Sequence, residues 1–378
     1  MRKKIGIFWP TKGREVLSKK KRNLLEPEDF LYGFKNYYKK NYNKIELISL
    51  DSRKKSDTFI AKFEEYFTRF KNRFSNFKFF YYIIKGQKKY FLNQDLIISF
   101  TDSGSLSLGV FGRKNTKKPI LIGGFHALAD ILNEVNPILR FIYKTKINKS
   151  LQKLDHLFFF GEQDRKESIR IFDIEEKKTS VFKFGVDTNF WFPSKKSKID
   201  KKILSVGSDP KRDYSTLLNA PQTYPTEIIT NLKINIPKDA KHIKVLKGSY
   251  FKKALSNIDL RKLYQDASII VIPIRDVFQP SGYSVTLQAM SCGKPVILPK
   301  FKGLWDRSIF INKKNCIFYK PENSNDLGSK INFLMGNKTL LKTLRLNSRK
   351  TALKHFSLSR MNYDLEKMLD SFISKTKN

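Results

Sequence analysis

Cysteine is nearly absent from this chain: Cys292 and Cys316 are the two among 378 residues. Two thiols cannot build a disulfide framework, which excludes the small stapled folds and suits a reducing, cytoplasmic compartment. Long hydrophobic runs are missing too. The stretch from Ala267 to Ile274 is interrupted by Ser268 and Pro273, and a bilayer span needs about 20 apolar residues. No apolar segment follows Met1-Arg2-Lys3-Lys4, so the start reads as a first strand rather than a signal peptide. Metal motifs are lacking: there is no HExxH, no CxxC and no Asp-x-Asp pair near a candidate site. No metal and no cofactor are expected. Acidic residues are scarce against basic ones, 35 against 74, for a net charge of +39.

What is present is an ordinary globular composition, 40% hydrophobic and 29% charged, which excludes disorder along the whole chain. At this length two domains are expected. The charge has two readings. It could attract a polyanion, an acidic lipid surface or a phosphorylated ligand. It could equally reflect composition, since Lys, Asn, Ile and Phe are abundant together and the lysines are spread along the chain. The basic, aromatic-rich segment Phe59 to Lys89 could meet a membrane or single-stranded nucleic acid, or pack as an amphipathic helix on a sheet.

Strand and helix patterns alternate. Short apolar runs at Ile5–Trp9, Ile45–Leu50, Asp95–Phe100, Pro119–Gly124, Leu157–Gly161 and Thr179–Gly185 read as buried strands. Glu26 to Tyr38 has helical spacing. Phe192-Pro193-Ser194 and the charged stretch after it read as a linker. The pattern restarts at Lys202–Gly207 and continues through Thr226–Thr230, His242–Leu246, Ala267–Ile274 and Pro295–Leu298. The alternation predicts parallel sheets covered on both faces. Ligands of such sheets bind at the carboxyl ends of the strands.

Those ends supply the candidates. After a strand ending near Ile274, Ser281-Gly282-Tyr283-Ser284 opens a helix that Gly293 stops. Its first amides form an anion site, or Ser281 is an ordinary N-cap. Gly207-Ser208-Asp209-Pro210-Lys211-Arg212-Asp213 follows the restarted strand. Arg212 could grip a diphosphate with forked hydrogen bonds, or pair with Asp213. His126 follows the strand ending at Gly124. Lys12 and Gly13 occupy the first strand-to-helix turn, and Asp102 and Ser103 end another strand.

The run Gly282 through Ile297, with Ala289-Met290-Ser291-Cys292-Gly293-Lys294-Pro295-Val296-Ile297, resembles the signature of retaining GT-B glycosyltransferases, the "group 1" nucleotide-sugar family. Phe184-Gly185-Val186-Asp187 through Pro193, Ile203 to Ala220, Leu263-Tyr264-Gln265-Asp266-Ala267 and Ala352 to Ser357 resemble further family motifs in order. The resemblance covers residues 180–360 and rests before that on pattern alone. It implies an α/β fold of two Rossmann-like domains facing across a cleft, GT-B architecture, with a C-terminal helix crossing back to the N-terminal domain. The domains would be 1–193 for the acceptor, 194–356 for the nucleotide-sugar, and the helix 357–378.

The implied activity is transfer of a sugar from a nucleotide-sugar donor to a glycan or lipid-linked acceptor, with retention and without metal, in polysaccharide biosynthesis. The implied donor-binding residues are Arg212, Lys211, Ser281, Gly282, Tyr283, Ser284 and Gln288. His126 would be catalytic, and Lys12, Gly13, Asp102 and Ser103 would line the acceptor side. An anionic membrane surface could receive the basic face at the inner side of the membrane, and nucleic acid is not expected as a partner. Two departures stand out. The family's second signature Glu falls on Gln288, which keeps hydrogen bonding but no charge, and the first falls on Pro280. The family's phosphate-binding Arg falls on Ser208, and its Lys on Lys211 or Arg212. These departures leave open a pseudoenzyme that binds nucleotide-sugar without transfer, or a basic polyanion-binding protein.

Overall fold

The computed structural model describes residues 4–9, 26–41, 45–49, 93–110, 119–194, 201–248 and 255–375. The described residues fall into two compact units. One holds 4–9, those between 31 and 183, and 362–375; the other holds 26–30 and those between 184 and 361. Lys12, Gly13 and the basic segment Phe59 to Lys89 lie outside the described residues.

The first unit is built on six strands: β1 (Ile5–Trp9), β2 (Ile45–Ser49), β3 (Leu96–Ser99), β4 (Ile120–Phe125), β5 (His156–Phe159) and β6 (Thr179–Val181). They form one sheet in the order β2-β1-β3-β4-β5-β6, and every neighbouring pair is parallel. Parallel strands are covered on both faces, which explains why Leu96-Ile97-Ile98 and Ile120-Leu121-Ile122 are apolar without alternation. One face packs Ile97, Leu121, Phe125, Leu157 and Phe159 into a core with Leu106, Leu108, Ile147, Leu151 and Phe172. These come from helices α2 (Asp102–Val110), α3 (Arg140–Leu151) and α4 (Glu162–Phe172). The other face is aromatic: Phe100, Phe158, Phe160 and Phe182 meet one another edge to face. Such edge contacts suit the ring quadrupole.

The helix expected over Glu26–Tyr38 is shorter. Asp29–Leu31 is a 3-10 turn, and the α-helix α1 runs Phe34–Asn41. Tyr32 between them has φ 50°, a left-handed value that no continuous helix admits.

The second unit holds β7 (Ile203–Val206), β8 (Thr226–Thr230), β9 (Ile243–Lys247), β10 (Ile269–Val271), β11 (Val296–Pro299) and β12 (Ile317–Tyr319). Their order is β12-β11-β10-β7-β8-β9, again all parallel. This is the doubly wound order, and its switch point lies between β7 and β10. Helices α5 (Tyr214–Leu218), α6 (Asn257–Asp266), α7 (Tyr283–Ser291), α8 (Ser324–Gly336) and α9 (Lys338–His355) accompany the strands. The last helix, α10 (Leu358–Lys375), begins in the second unit and groups with the first from Asn362 onward. There Phe372 lies beside His156, and Lys40 pairs with Glu366 at 3.0 Å.

Candidate functional site

The site is built at the carboxyl ends of β7 and β10, on the two sides of the switch point. After β7 the chain turns through Gly207 and Ser208. The Ser208 hydroxyl donates to the Gly248 carbonyl at 3.3 Å and accepts from the Asn231 amide at 2.9 Å. It ties the loops after β7, β8 and β9 together. The Tyr214 hydroxyl donates to the Gly207 carbonyl at 2.7 Å.

Arg212 then pairs with Ile274, just past β10, in an isolated antiparallel bridge. The Asp213 amide donates to the Pro273 carbonyl at 3.2 Å and the Arg275 amide to the Lys211 carbonyl at 3.0 Å. These bonds lock the β7 loop to the end of β10. Asp213 is not the partner of Arg212: its carboxylate caps α5 by accepting from the Thr216 amide and hydroxyl.

The Arg212 side chain is 5% exposed. Its Nε and Nη1 are buried and have no hydrogen-bond partner. A Cβ at Gly207 would stand 2.2 Å from Arg212 Nε, and one at Gly282 would stand 3.1 Å from Nη1. The guanidinium therefore lies between two glycines, at φ 151° and φ 75°, whose backbones also suit no other residue well. A buried cation without acceptors costs free energy. Its placement at a switch point makes sense if an anion completes it.

Gly282 is also the N-cap of α7, and no side chain caps that helix. The expectation that Ser281 could cap it is corrected. The Ser281 hydroxyl donates to Asp209 at 2.8 Å, and Asp209 also accepts from Gln279 Nε2 and the Lys211 amide, each at 2.9 Å. Asp209 thus draws the Ser281 hydroxyl away from the helix start. The first-turn amides of Tyr283 and Ser284 keep no intrahelical acceptor, and the helix dipole adds positive potential there.

Tyr283 contributes backbone only. Its ring is buried against Trp305, 4.5 Å between centroids, and Phe184. Burial pushes its hydroxyl well above the ordinary phenol range. Gln288 is likewise turned to the interior. Its Nε2 donates to Asp29 at 2.9 Å and its Oε1 accepts from the Tyr264 hydroxyl at 3.4 Å. Both ends of its amide serve a buried network. Pro280 is buried and offers no side-chain donor or acceptor.

The centre of that network, Asp29, was not singled out in the sequence. It is fully buried and accepts from the Asp187 amide at 2.6 Å, Trp191 Nε1 at 2.7 Å and Gln288 Nε2. Burial raises its pKa to about 6 against the lowering effect of these donors. Local sequence gave no sign of it, because its partners are 158 to 259 residues away.

In the first unit His126 follows β4. Its ring stacks on Phe160, 4.0 Å between centroids, and its Nε2 lies 2.9 Å from the Phe100 carbonyl. A carbonyl accepts only, so Nε2 carries the proton in this pair. Asp102 holds the turn by accepting from the His126 amide at 3.1 Å and the Ala127 amide at 3.0 Å. The Ser103 carbonyl accepts from the Ser107 hydroxyl at 2.7 Å. Asp102 and His126 are brought together, with Asp102 in a positioning role. Among the described residues no group of three or more His, Cys, Asp or Glu is placed to hold a metal, and no helix is long and apolar enough to cross a membrane.

Comparison with known proteins bears on the second unit most directly. An uncharacterized glycosyltransferase, MJ1178, of Methanocaldococcus jannaschii is 32% identical over 126 residues, 31% of this chain and 34% of that protein. The chain thus meets about a third of that relative's length. Among solved structures, Anabaena Alr3699/HepE in complex with UDP and glucose superposes with a TM-score of 0.66 at 13% identity, covering 98% of this chain and 100% of that one. Sucrose-phosphate synthase of Thermosynechococcus elongatus gives 0.61 at 16% identity, with 77% of each chain covered. The whole chain has the GT-B fold, and residues 233–351, which include α7 and its start, match the family model "Glycosyl transferases group 1".

Proposed function

We propose that this protein transfers a sugar from a nucleotide-sugar donor whose diphosphate binds at the β7–β10 switch point. The observation that carries the proposal is the buried Arg212 guanidinium, with two nitrogens lacking partners beside the uncapped start of α7. A diphosphate offers those nitrogens the charged acceptors they lack. The same donors stabilise the charge that develops on the diphosphate as the glycosidic bond breaks. The electron pair of that bond leaves with the diphosphate, an acceptor hydroxyl forms the new bond, and its proton passes to the departing diphosphate. The match of residues 233–351 to group 1 glycosyltransferases supports this reading. The UDP and glucose named with the Anabaena structure favour a nucleoside diphosphate sugar as donor. Retention, independence from metal and a glycan or lipid-linked acceptor belong to the same proposal, as does cytoplasmic action. Lys211 and the Ser284 amide complete the donor side, and a catalytic role for His126 belongs to the same proposal.

The test is a thermal-shift and calorimetric panel of nucleoside diphosphates and their sugars on the wild type and Arg212→Ala. One nucleotide at 100 times its Kd should stabilise the wild type by about 2.7 kcal/mol, and the variant should lose most of this. Absence of any stabilisation overturns the reading. A second reading, binding without transfer, is favoured by Pro280 and by the commitment of the Gln288 amide to Asp29. It predicts the same stabilisation with no release of nucleotide from the sugar donor in the presence of acceptor extracts.

A further inference from the structure

The start of α3 carries a surface that the nucleotide reading does not use. Ile138 and Phe141 are 86% and 80% exposed, and Ile142 is 50% exposed. They stand in the 3-10 turn Pro137–Leu139 and the first turn of α3. With about 100° per residue, Tyr143, Ile147, Ser150 and Leu151 share one side of this helix. Phe141, Ile142, Thr145 and Lys149 share the opposite side, with Lys144 and Lys146 on the two flanks. The inner side is fixed: Ile147 and Leu151 lie in the first unit's core, and the Ser150 hydroxyl donates to the Leu106 carbonyl. The outer apolar group is therefore held out by a packed helix. Single exposed apolar residues are common on surfaces, whereas neighbouring ones on an anchored element mark a contact face.

Charge indicates what fits that face. Between Glu134 and Asp155 the chain has no acidic residue, while Arg140, Lys144, Lys146 and Lys149 are all exposed. Apolar side chains rimmed by cations match a bilayer with anionic headgroups. A second copy of the chain would bring equal basic rims together, in a molecule of charge +39. Nucleic acid would engage the cations and leave Ile138 and Ile142 in water.

We propose that this protein docks on an anionic lipid bilayer through the start of α3. Ile138, Phe141 and Ile142 enter the boundary between headgroups and acyl chains, and Lys144 and Lys146 meet the lipid phosphates. The proposal stands apart from the donor site, so either can fail alone.

The difficulty in testing it is the net charge, which by itself draws the chain to anionic vesicles at low salt. The informative variant keeps that charge. Full-length protein would be sedimented with vesicles of phosphatidylcholine alone and with added phosphatidylglycerol, at about 0.15 M salt. Replacing Ile138, Phe141 and Ile142 together by Ser is expected to lower partition onto the anionic vesicles by at least about tenfold. Lys144→Ala with Lys146→Ala is expected to lower it about fivefold per residue. Phe141→Trp adds a readout that does not depend on the triple variant folding: its emission should shift blue on anionic vesicles and be quenched by lipids brominated on their acyl chains. Equal partition of the charge-neutral triple variant and the wild type overturns the proposal, as does an unmoved Phe141→Trp emission. A dimer in sedimentation velocity that Phe141→Ser dissolves without vesicles overturns it in favour of a second copy. Nucleotide stabilisation should be the same in all these variants.

Discussion

At the carboxyl edge of the first sheet, Asp102 and His126 find their partners within the protein. The Asp102 carboxylate takes two amides of the β4 turn, and His126 Nε2 takes the Phe100 carbonyl. At the same edge of the second sheet the arrangement is incomplete. Arg212 has two buried nitrogens without acceptors, and α7 begins without a side-chain cap. The two edges share topology and strand-end chemistry and differ in what the protein itself satisfies. Buried polar atoms are paired in the great majority of cases, so an unpaired cation is informative where a paired His is not.

Arg212→Ala bears hardest on that contrast. Hydrogen bonds to charged groups contribute roughly 1.5–3 kcal/mol each, so losing the guanidinium should weaken nucleoside diphosphate binding about 100-fold or more. Without ligand the same change removes a buried unpaired cation, and the melting temperature should hold or rise. A ligand-free protein that instead unfolds several degrees earlier would show that Arg212 is structural, and the contrast between the edges would dissolve.

Gln288→Glu probes the network under α7. Asp29 Oδ2 is 2.9 Å from Gln288 Nε2, so the substitution sets two carboxylates against each other and one must hold a proton. The expected cost at pH 8 is about 2–3 kcal/mol, smaller at pH 5 where a shared proton is available. Asp29 alone has a pH signature. Its pKa is raised from 3.8 to about 6, so the folded state holds the proton more tightly than the unfolded one. The stability this contributes is full below about pH 4 and is lost as pH rises through 6, about 3 kcal/mol in all. Urea titrations from pH 4 to 7 should show a steeper fall in the wild type than in Asp29→Asn. Equal slopes would place the Asp29 pKa near its ordinary value.

Much of this was legible in residue order. Unbroken runs such as Leu96-Ile97-Ile98 and Ile203-Leu204 announce parallel strands because both faces are covered, and Gly282 announces an exposed helix start. Side-chain direction was not legible. Ser281, Tyr283 and Gln288 occupy positions suited to a donor, yet the structure turns Ser281 to Asp209, Tyr283 to Trp305 and Gln288 to Asp29. Each of these depends on a residue far away in sequence. Asp29 escaped notice for the same reason. The start of α3 escaped because apolar residues on opposite sides of one helix cancel as an amphipathic signal.

Asp102 sharpens the positioning side. Asp102→Ala removes the acceptor for two amides and should cost about 2 kcal/mol, with a loss of turnover through the displaced His126 turn. Asp102→Asn keeps an oxygen that can accept both and should restore most of each. If Asn fails to restore turnover while stability returns, the Asp102 charge itself touches substrate, and the first edge is less complete than its hydrogen bonds indicate.

The smallest effect is expected at Ser281. Its hydroxyl donates to Asp209, one of three donors on that carboxylate, so Ser281→Ala leaves Asp209 with Gln279 and the Lys211 amide. A partly buried neutral donor to a carboxylate contributes about 1 kcal/mol net. The loss should appear in the melting temperature, with nucleoside diphosphate affinity changed less than about threefold, since the α7 amides and Arg212 stay in place. The opposite pattern, an unchanged melting temperature with affinity down tenfold, would mean that the hydroxyl leaves Asp209 for the ligand on binding. Asp209 would then be released beside an incoming diphosphate, an anion next to an anion. Lys211, whose amide already holds that carboxylate, would be the group placed to offset it, and Lys211→Ala combined with Ser281→Ala should then cost more than the two changes separately.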